Sequence, residues 1–297
     1  MNYKLETFKQ SLIRHPEPKL MFWRGIHTLE TFKQTVWDFY KENKRDFAWR
    51  QTVDPYKIVV SEIMLQQTQT HRVAPKFELF IQKFPTFQAL ANASTPEVLM
   101  LWVGLGYNRR ALALHSIAQR VMEEYNGQLP DSVETLKTFK GLGHATASSI
   151  VAFAFNKPTE FIETNIRAVY LHTFFNHQED VHDKELWPFV CATLDKENPR
   201  EWYYALMDYG VHLKKFYKNP SKKSKHYATQ SPFNGSDRQV RGAIVRLLLE
   251  HKNLASQELI NFLFALFPDK QDNFESIIAG MLKENFIKDL QNGLLGL

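Results

Sequence analysis

One cysteine, Cys191, occurs in the 297 residues, and no run of about eighteen apolar residues is present. The first absence excludes an intramolecular disulfide and a four-cysteine zinc or iron–sulfur site, and fits a reducing compartment. The second excludes a membrane-spanning helix, and MNYKLETFKQSLIRHPEP at the N-terminus lacks the apolar stretch of a secretory signal. A cytoplasmic protein is expected. Strand-like alternation is scarce, and neither charge dominates: 37 Lys and Arg against 32 Asp and Glu leave a net +5. Aromatics are abundant, with 23 Phe and 11 Tyr in a chain that is 44% apolar. That supply is enough to build a core without a metal or disulfide staple.

What is there is helical. Apolar residues recur at Phe77, Phe80, Ile81 and Phe84 and at Leu114, Ile117, Val121 and Tyr125, with the spacing of a helix face. Thr95-Pro96-Glu97 and Asp131-Ser132-Val133-Glu134 carry the marks of helix N-termini. An all-α body is expected from about residue 27 to 212, after an N-terminal extension, 1–26. Residues 213–235 form a lysine-rich linker, in which LKKFYKNPSKKSKHYA carries six lysines and no acid, interleaved with aromatics. Such a stretch suits a phosphate backbone, or simply a solvated connection. From 236 to 297 three helices precede a turn signal at Asn292-Gly293, the outline of a winged helix. Its third helix carries only Lys283 as a base, whereas the first carries Arg238, Arg241 and Arg246, so DNA and protein partners both stay open.

Two Gly-x-Gly elements stand out, Gly104-Leu105-Gly106 and Gly141-Leu142-Gly143. Neither is a dinucleotide fingerprint, because the third glycine and a preceding strand are missing. The second opens a helix rich in small residues, so its N–H groups can meet a phosphate. Glu62 lies among Val59, Val60, Ile63, Met64 and Leu65, either as a helix N-terminal acid, the reading the spacing favours, or as a partly buried acid of raised pKa. Glu163 sits between Phe161, Ile162 and Ile166. Gln66, Gln67, Thr68 and Gln69 form an uncharged donor and acceptor cluster.

The ordered set of WR at Trp49, DPYKIVVSEIMLQQTQ from Asp54, LWVGLGYNRRALALH from Leu101, KGLGHATASSI from Lys140 and ETNIRAV from Glu163 resembles MutY-type adenine DNA glycosylases of the helix-hairpin-helix superfamily, over roughly residues 30–215. The resemblance implies a two-lobed all-α fold with a DNA-facing cleft between the lobes, followed here by the small winged-helix-like module. It implies a monomer that hydrolyses the N-glycosidic bond of adenine mispaired with guanine or 8-oxoguanine in double-stranded DNA, in the cytoplasm at the nucleoid. Glu62 takes the place of the acid that protonates adenine. Glu163 stands where the family has an aspartate that stabilises the oxocarbenium-like sugar, and Asn165 matches an active-site asparagine. Gln67, Thr68 and Tyr107 fall on loops that wedge into the duplex, and Arg50, Lys140, Gly141 and Gly143 face DNA, with Lys222, Lys223 and Lys225 as further phosphate contacts.

Departures qualify the resemblance. The lysine that lyase-active members place two residues after the hairpin's second glycine is Ala145, which implies hydrolysis alone. The four-cysteine iron–sulfur loop expected after Met207-Asp208-Tyr209-Gly210 is replaced by lysines, so no cluster is expected, although the Gly141 to Gly143 hairpin leaves room for a monovalent cation. The C-terminal module is unlike the Nudix-like domain that senses 8-oxoguanine. Hypoxanthine, uracil or mismatched thymine as the excised base, and a lesion-binding protein without turnover, are the alternatives.

Overall fold

The computed structural model describes residues 28–270, 273–291 and 293–297. The expected extension 1–26 and Asn292 of the turn signal lie outside the described residues. In chain order the helices are α1 Leu29–Asn43, α2 Pro55–Leu65, α3 Thr70–Lys83, α4 Phe87–Ala91, α5 Thr95–Trp102, α6 Arg109–Tyr125, α7 Val133–Leu136, α8 His144–Phe155, α9 Thr164–Phe174, α10 Asp183–Thr193, α11 Pro199–Phe216, α12 Asp237–His251, α13 Ser256–Leu266 and α14 Phe274–Lys283. Strands β1 Leu254–Ala255, β2 Lys288–Asp289 and β3 Leu294–Gly296 form one small sheet, and 3-10 turns occupy Ala48–Arg50 and Pro220–Lys223.

Local chemistry sets the helix ends. Asp54 accepts from Tyr56 N at 2.9 Å and Pro55 opens α2, where a missing N–H costs nothing. Ser94 caps α5 in a reciprocal pair with Glu97, one residue before the start that Thr95 suggested. Ser132 caps the short α7. Asn126 and Asn156, both left-handed, close α6 and α8.

Two compact units divide the chain, with crossings after Phe47, Leu142 and Ala228. The first comprises residues 28–47 and 143–228. Its α8 is buried continuously from Ala147 to Ala154, and α9 packs along α11 while α1 lies on α10 and α11. The aromatic surplus is concentrated here. Phe32 of α1 meets Tyr170 at 5.5 Å and Trp202 at 6.1 Å between ring centres, and Phe153 stacks on Tyr204 at 4.5 Å. Buried phenols find partners: Tyr170 Oη lies 2.6 Å from Thr193 Oγ1, and Tyr203 donates to Thr159 O at 2.5 Å.

The second unit comprises residues 48–142 and 229–297. Helices α2 to α7 enclose Trp102, Phe80, Ile58, Ile63 and Met64, all essentially without exposed surface. In the C-terminal part β3 pairs antiparallel with β1 (Leu254 opposite Leu295) and with β2 (Asp289 opposite Leu295). The order helix, strand, two helices and a two-stranded wing is the winged-helix pattern, and α12 rests on α5. The lysine-rich stretch 217–228 is folded rather than free-running. Pro220, Ser221 and Ser224 are buried, and Val181 bonds Lys223 O through its N–H and Lys225 N through its carbonyl, both across α10's approach loop.

Candidate active site

Glu62 lies two turns into α2, so it is not a helix N-terminal acid; Asp54 does the capping. The favoured reading of its spacing is thereby corrected. The side chain is half-buried, while Ser61, Ile63 and Met64 around it are buried. α2 thus presents one carboxylate between buried neighbours.

Arg110, one of two adjacent arginines in GYNRR and given no role by the sequence alone, fixes the end of that helix. Its guanidinium is buried and donates to Ile63 O, Met64 O, Gln66 O and Thr68 Oγ1 at 3.0, 2.9, 2.5 and 2.9 Å, and to Leu105 O and Gly106 O at 3.3 and 3.0 Å. One side chain therefore ties together the terminal carbonyls of α2, the Gln66–Thr68 loop and the Gly104–Gly106 loop. Burial lowers its pKa to about 10. Thr68, expected at the DNA, is turned inward by this bond and is 9% exposed, so it anchors the loop rather than forming its tip. The tip is Gln67, exposed and at φ +55°. Tyr107 is also left-handed, at φ +47°, and its hydroxyl accepts from Arg238 Nη1 at 2.5 Å and from Gln230 Nε2. It is half-buried on a loop, not part of the core.

Gly141 is at φ +92°, and a Cβ there would come within 2.8 Å of Ala113 Cβ, so the turn needs glycine. Its carbonyl accepts from Gln66 Nε2 at 3.4 Å, and Lys140 beside it is exposed. Gly143 is the N-cap of α8, a position with no side-chain cap and no acid in the first turn, where the helix dipole favours an anion. Arg50 ends the first 3-10 turn and is half-buried.

Glu163 is the N-cap of α9. Oε1 accepts from Asn165 N at 2.7 Å and Ile166 N at 2.9 Å, and Oε2 from Asn165 Nδ2 at 3.2 Å. The carboxylate folds back onto these donors, as a capping side chain does. Burial pushes its pKa up, against the pull of the Ile166 N–H, Lys214, the Asn165 N–H and Arg167. Lys214 Nζ donates to Asn165 Oδ1 at 2.9 Å, so lysine, amide and carboxylate form a relay in which Asn165 has one orientation only. Burial depresses the Lys214 pKa, which Glu163 opposes.

Three residues of α11 serve this corner. Asp208 holds Arg45 through Nε at 2.6 Å and N at 2.9 Å. At Gly210 a Cβ would lie 2.3 Å from Asn165 O, so only glycine lets α11 approach the start of α9. One turn on, Lys214 reaches the amide. In the sequence Lys214 is merely one of a lysine run; its spacing of four from Gly210 is the signal that sets it apart. Of the other lysines, Lys222 and Lys225 are exposed, but Lys223 donates to Asn176 O and to Asn176 Oδ1, the latter at 3.1 Å. Lys223 is thus engaged within the unit, which corrects its reading as a phosphate contact.

Residues 60–259 match the sequence profile of the HhH-GPD superfamily of base excision DNA repair proteins. The chain belongs to that superfamily. Among its relatives, the adenine DNA glycosylase of Rattus norvegicus is 31% identical over 222 residues, covering 68% of this chain and 42% of that protein. The adenine DNA glycosylase of Mycobacterium tuberculosis (strain ATCC 25618 / H37Rv) is 40% identical over 155 residues, covering 52% and 49%. The chain spans less than half the length of these curated relatives. Among solved structures, a thermostable thymine-DNA glycosylase superposes with a TM-score of 0.55 at 26% identity, covering 62% of this chain and 86% of that one. A trapped endonuclease III–DNA covalent intermediate does so at 0.53 with 17% identity, which speaks to the fold alone. Among the described residues no helix is long and apolar enough to cross a membrane.

Proposed function

We propose that this chain is a monomeric DNA N-glycosylase, acting at the nucleoid, that hydrolyses the N-glycosidic bond of adenine mispaired with guanine or 8-oxoguanine and leaves the strand otherwise intact. The observation that carries the reading is the pair of acids at Glu62 and Glu163, each in a setting suited to a different task, in a chain similar to adenine glycosylases. Adenine is a poor leaving group until its ring is protonated, so a flipped-out adenine needs a proton donor, the role of Glu62. As the bond breaks, positive charge develops on the sugar. Glu163, oriented by two backbone N–H groups and Asn165, supplies the opposing negative charge. Retention of both acids argues against a purely lesion-binding protein. Ala145 offers no amine for a Schiff base, which supports hydrolysis without strand cleavage.

An iron–sulfur cluster does not fit the residues present, since four thiolates are needed and the sequence holds one cysteine. Lys214, one turn past Gly210, stands in the segment the cluster loop occupies in the family, and serves Asn165 instead.

A second reading keeps the chemistry and changes the base to mismatched thymine, favoured by the 26% identity to a thymine-DNA glycosylase. Single-turnover excision on a duplex with one adenine–guanine pair tests the first reading. Wild type is expected to release adenine, and Glu62→Gln to bind the duplex equally well while losing about 10²-fold or more in rate. Equal rates, or release of thymine from a guanine–thymine pair and no adenine, overturn it.

A further inference from the structure

Within the second unit a cavity of about 730 Å³ lies between α12 and the two loops that carry Gln66–Gln67 and Gly104–Arg110. Six arginines line it, Arg72, Arg109, Arg110, Arg238, Arg241 and Arg246, against one carboxylate, Asp237. Asp237 is itself committed to Lys270 at 2.6 Å. Just outside, Glu284 meets Arg241 at 2.5 Å and Arg109 at 3.7 Å. Arg110 and Arg72 bond to carbonyls through their Nη groups, which leaves their charges unbalanced. The cavity walls therefore concentrate a positive excess comparable to the net +5 of the whole chain. Crowded guanidinium groups repel one another, and an anion resting among them removes that cost.

The rest of the lining says which anion. Gln67 and Gln66, the latter also bonded to Gly141 O, line it with amides, and the Tyr107 and Phe233 rings, with Arg238 over them at 5.0 and 5.6 Å, add flat faces. Amides, rings and guanidinium groups together suit a nucleotide, whose phosphate, sugar and base need all three.

We infer that this cavity is a nucleotide subsite for the DNA strand, with α12 of the C-terminal module supplying its phosphate-binding arginines. The third helix of the module, α14, is not the DNA-facing element. Its one base is Lys283, and the acid that follows it, Glu284, is bonded to Arg241. The inference extends the DNA-binding part of the proposed function and is independent of which base is excised.

The test is equilibrium binding of the full chain to a short labelled duplex carrying a non-hydrolysable adenine analogue opposite guanine, across a salt series. Arg246 is exposed and has no ion pair among the described residues, so its replacement should leave folding intact. Arg246→Glu and the double variant Arg241→Gln/Arg246→Gln are expected to weaken binding by about tenfold and flatten the log–log salt slope by up to ~0.9 for each phosphate no longer neutralised, on matched and mispaired duplexes alike. Arg246→Lys should keep the wild-type slope. An unchanged slope in Arg246→Glu overturns the inference, as does weakening confined to Lys283→Ala. Parallel titrations with inorganic phosphate and with deoxyguanosine monophosphate separate the sources: displacement by either well below the duplex's phosphate concentration would make this a free-nucleotide site and overturn the strand assignment. Because binding is read without turnover, these results stand apart from whether adenine is excised.

Discussion

Glu163 is held between opposed demands. Burial favours its protonated form, and Lys214 and Arg167, with the N–H donors of α9, favour the charged one; burial prevails and the pKa lies above the usual carboxylate range. Arg167 is in turn paired to Asp183 of α10 through two bonds of 2.7 Å, whereas Lys214 is bonded to the neutral amide of Asn165 and keeps its charge for Glu163. If excision needs the carboxylate ionised, the rate falls as pH drops through the raised value, and removing the Lys214 charge raises that value further. Lys214→Met is therefore expected to move the acid limb of the single-turnover pH–rate profile to higher pH, with Lys214→Arg restoring it. A loss of rate with an unmoved limb would make Lys214 a structural prop only. Stability runs the other way: with its folded pKa raised, Glu163 favours the folded state in acid, and that contribution is lost as pH rises through the raised value.

The elements themselves rest on a few bonds that join distant segments. Arg110 holds six acceptors spread over α2 and two loops, most of them carbonyls at a helix end or a turn. Arg110→Met is expected to cost about 3 kcal/mol or more in thermal or denaturant unfolding, because buried acceptors are deprived of their donor; a change below about 0.5 kcal/mol, the scale of ordinary surface substitutions, would contradict its role as the pin. Gly210→Ala places a methyl group against the Asn165 carbonyl and must push α11 from α9, at about 1–3 kcal/mol. Excision should fall by more than stability accounts for, since the displaced residue is Asn165; a rate unchanged at full saturation would show the relay tolerant of that shift. Helix placement was legible in the sequence, because capping serines, prolines and apolar spacing are local signals: Ser132 and the three C-terminal helices lie where those signals put them. What was not legible is tertiary. β1 has two residues, too few for alternation to register. Thr68 and Lys223 sit in polar, DNA-like sequence yet turn inward to Arg110 and Asn176, partners 42 and 47 residues away in the chain. Arg110 and Lys214 join motif segments that lie far apart in the chain, a pairing that no local pattern announces.

For the whole molecule, composition and architecture agree. A chain with one cysteine builds its core from aliphatic side chains and aromatic rings in contact, and six arginines gather around one cavity. Membership of the superfamily of base excision DNA repair proteins sets the class, and the two acids, with alanine at position 145, carry the chemistry proposed for it. The most direct measurement is incubation with a panel of end-labelled duplexes, each bearing one mispair, followed by alkali. The account predicts cleavage at adenine opposite guanine or 8-oxoguanine, seen only after alkali, and no protein–DNA adduct trapped by borohydride. Cleavage confined to mismatched thymine, uracil or hypoxanthine, or strand breaks formed before alkali in a nuclease-free preparation, would contradict it.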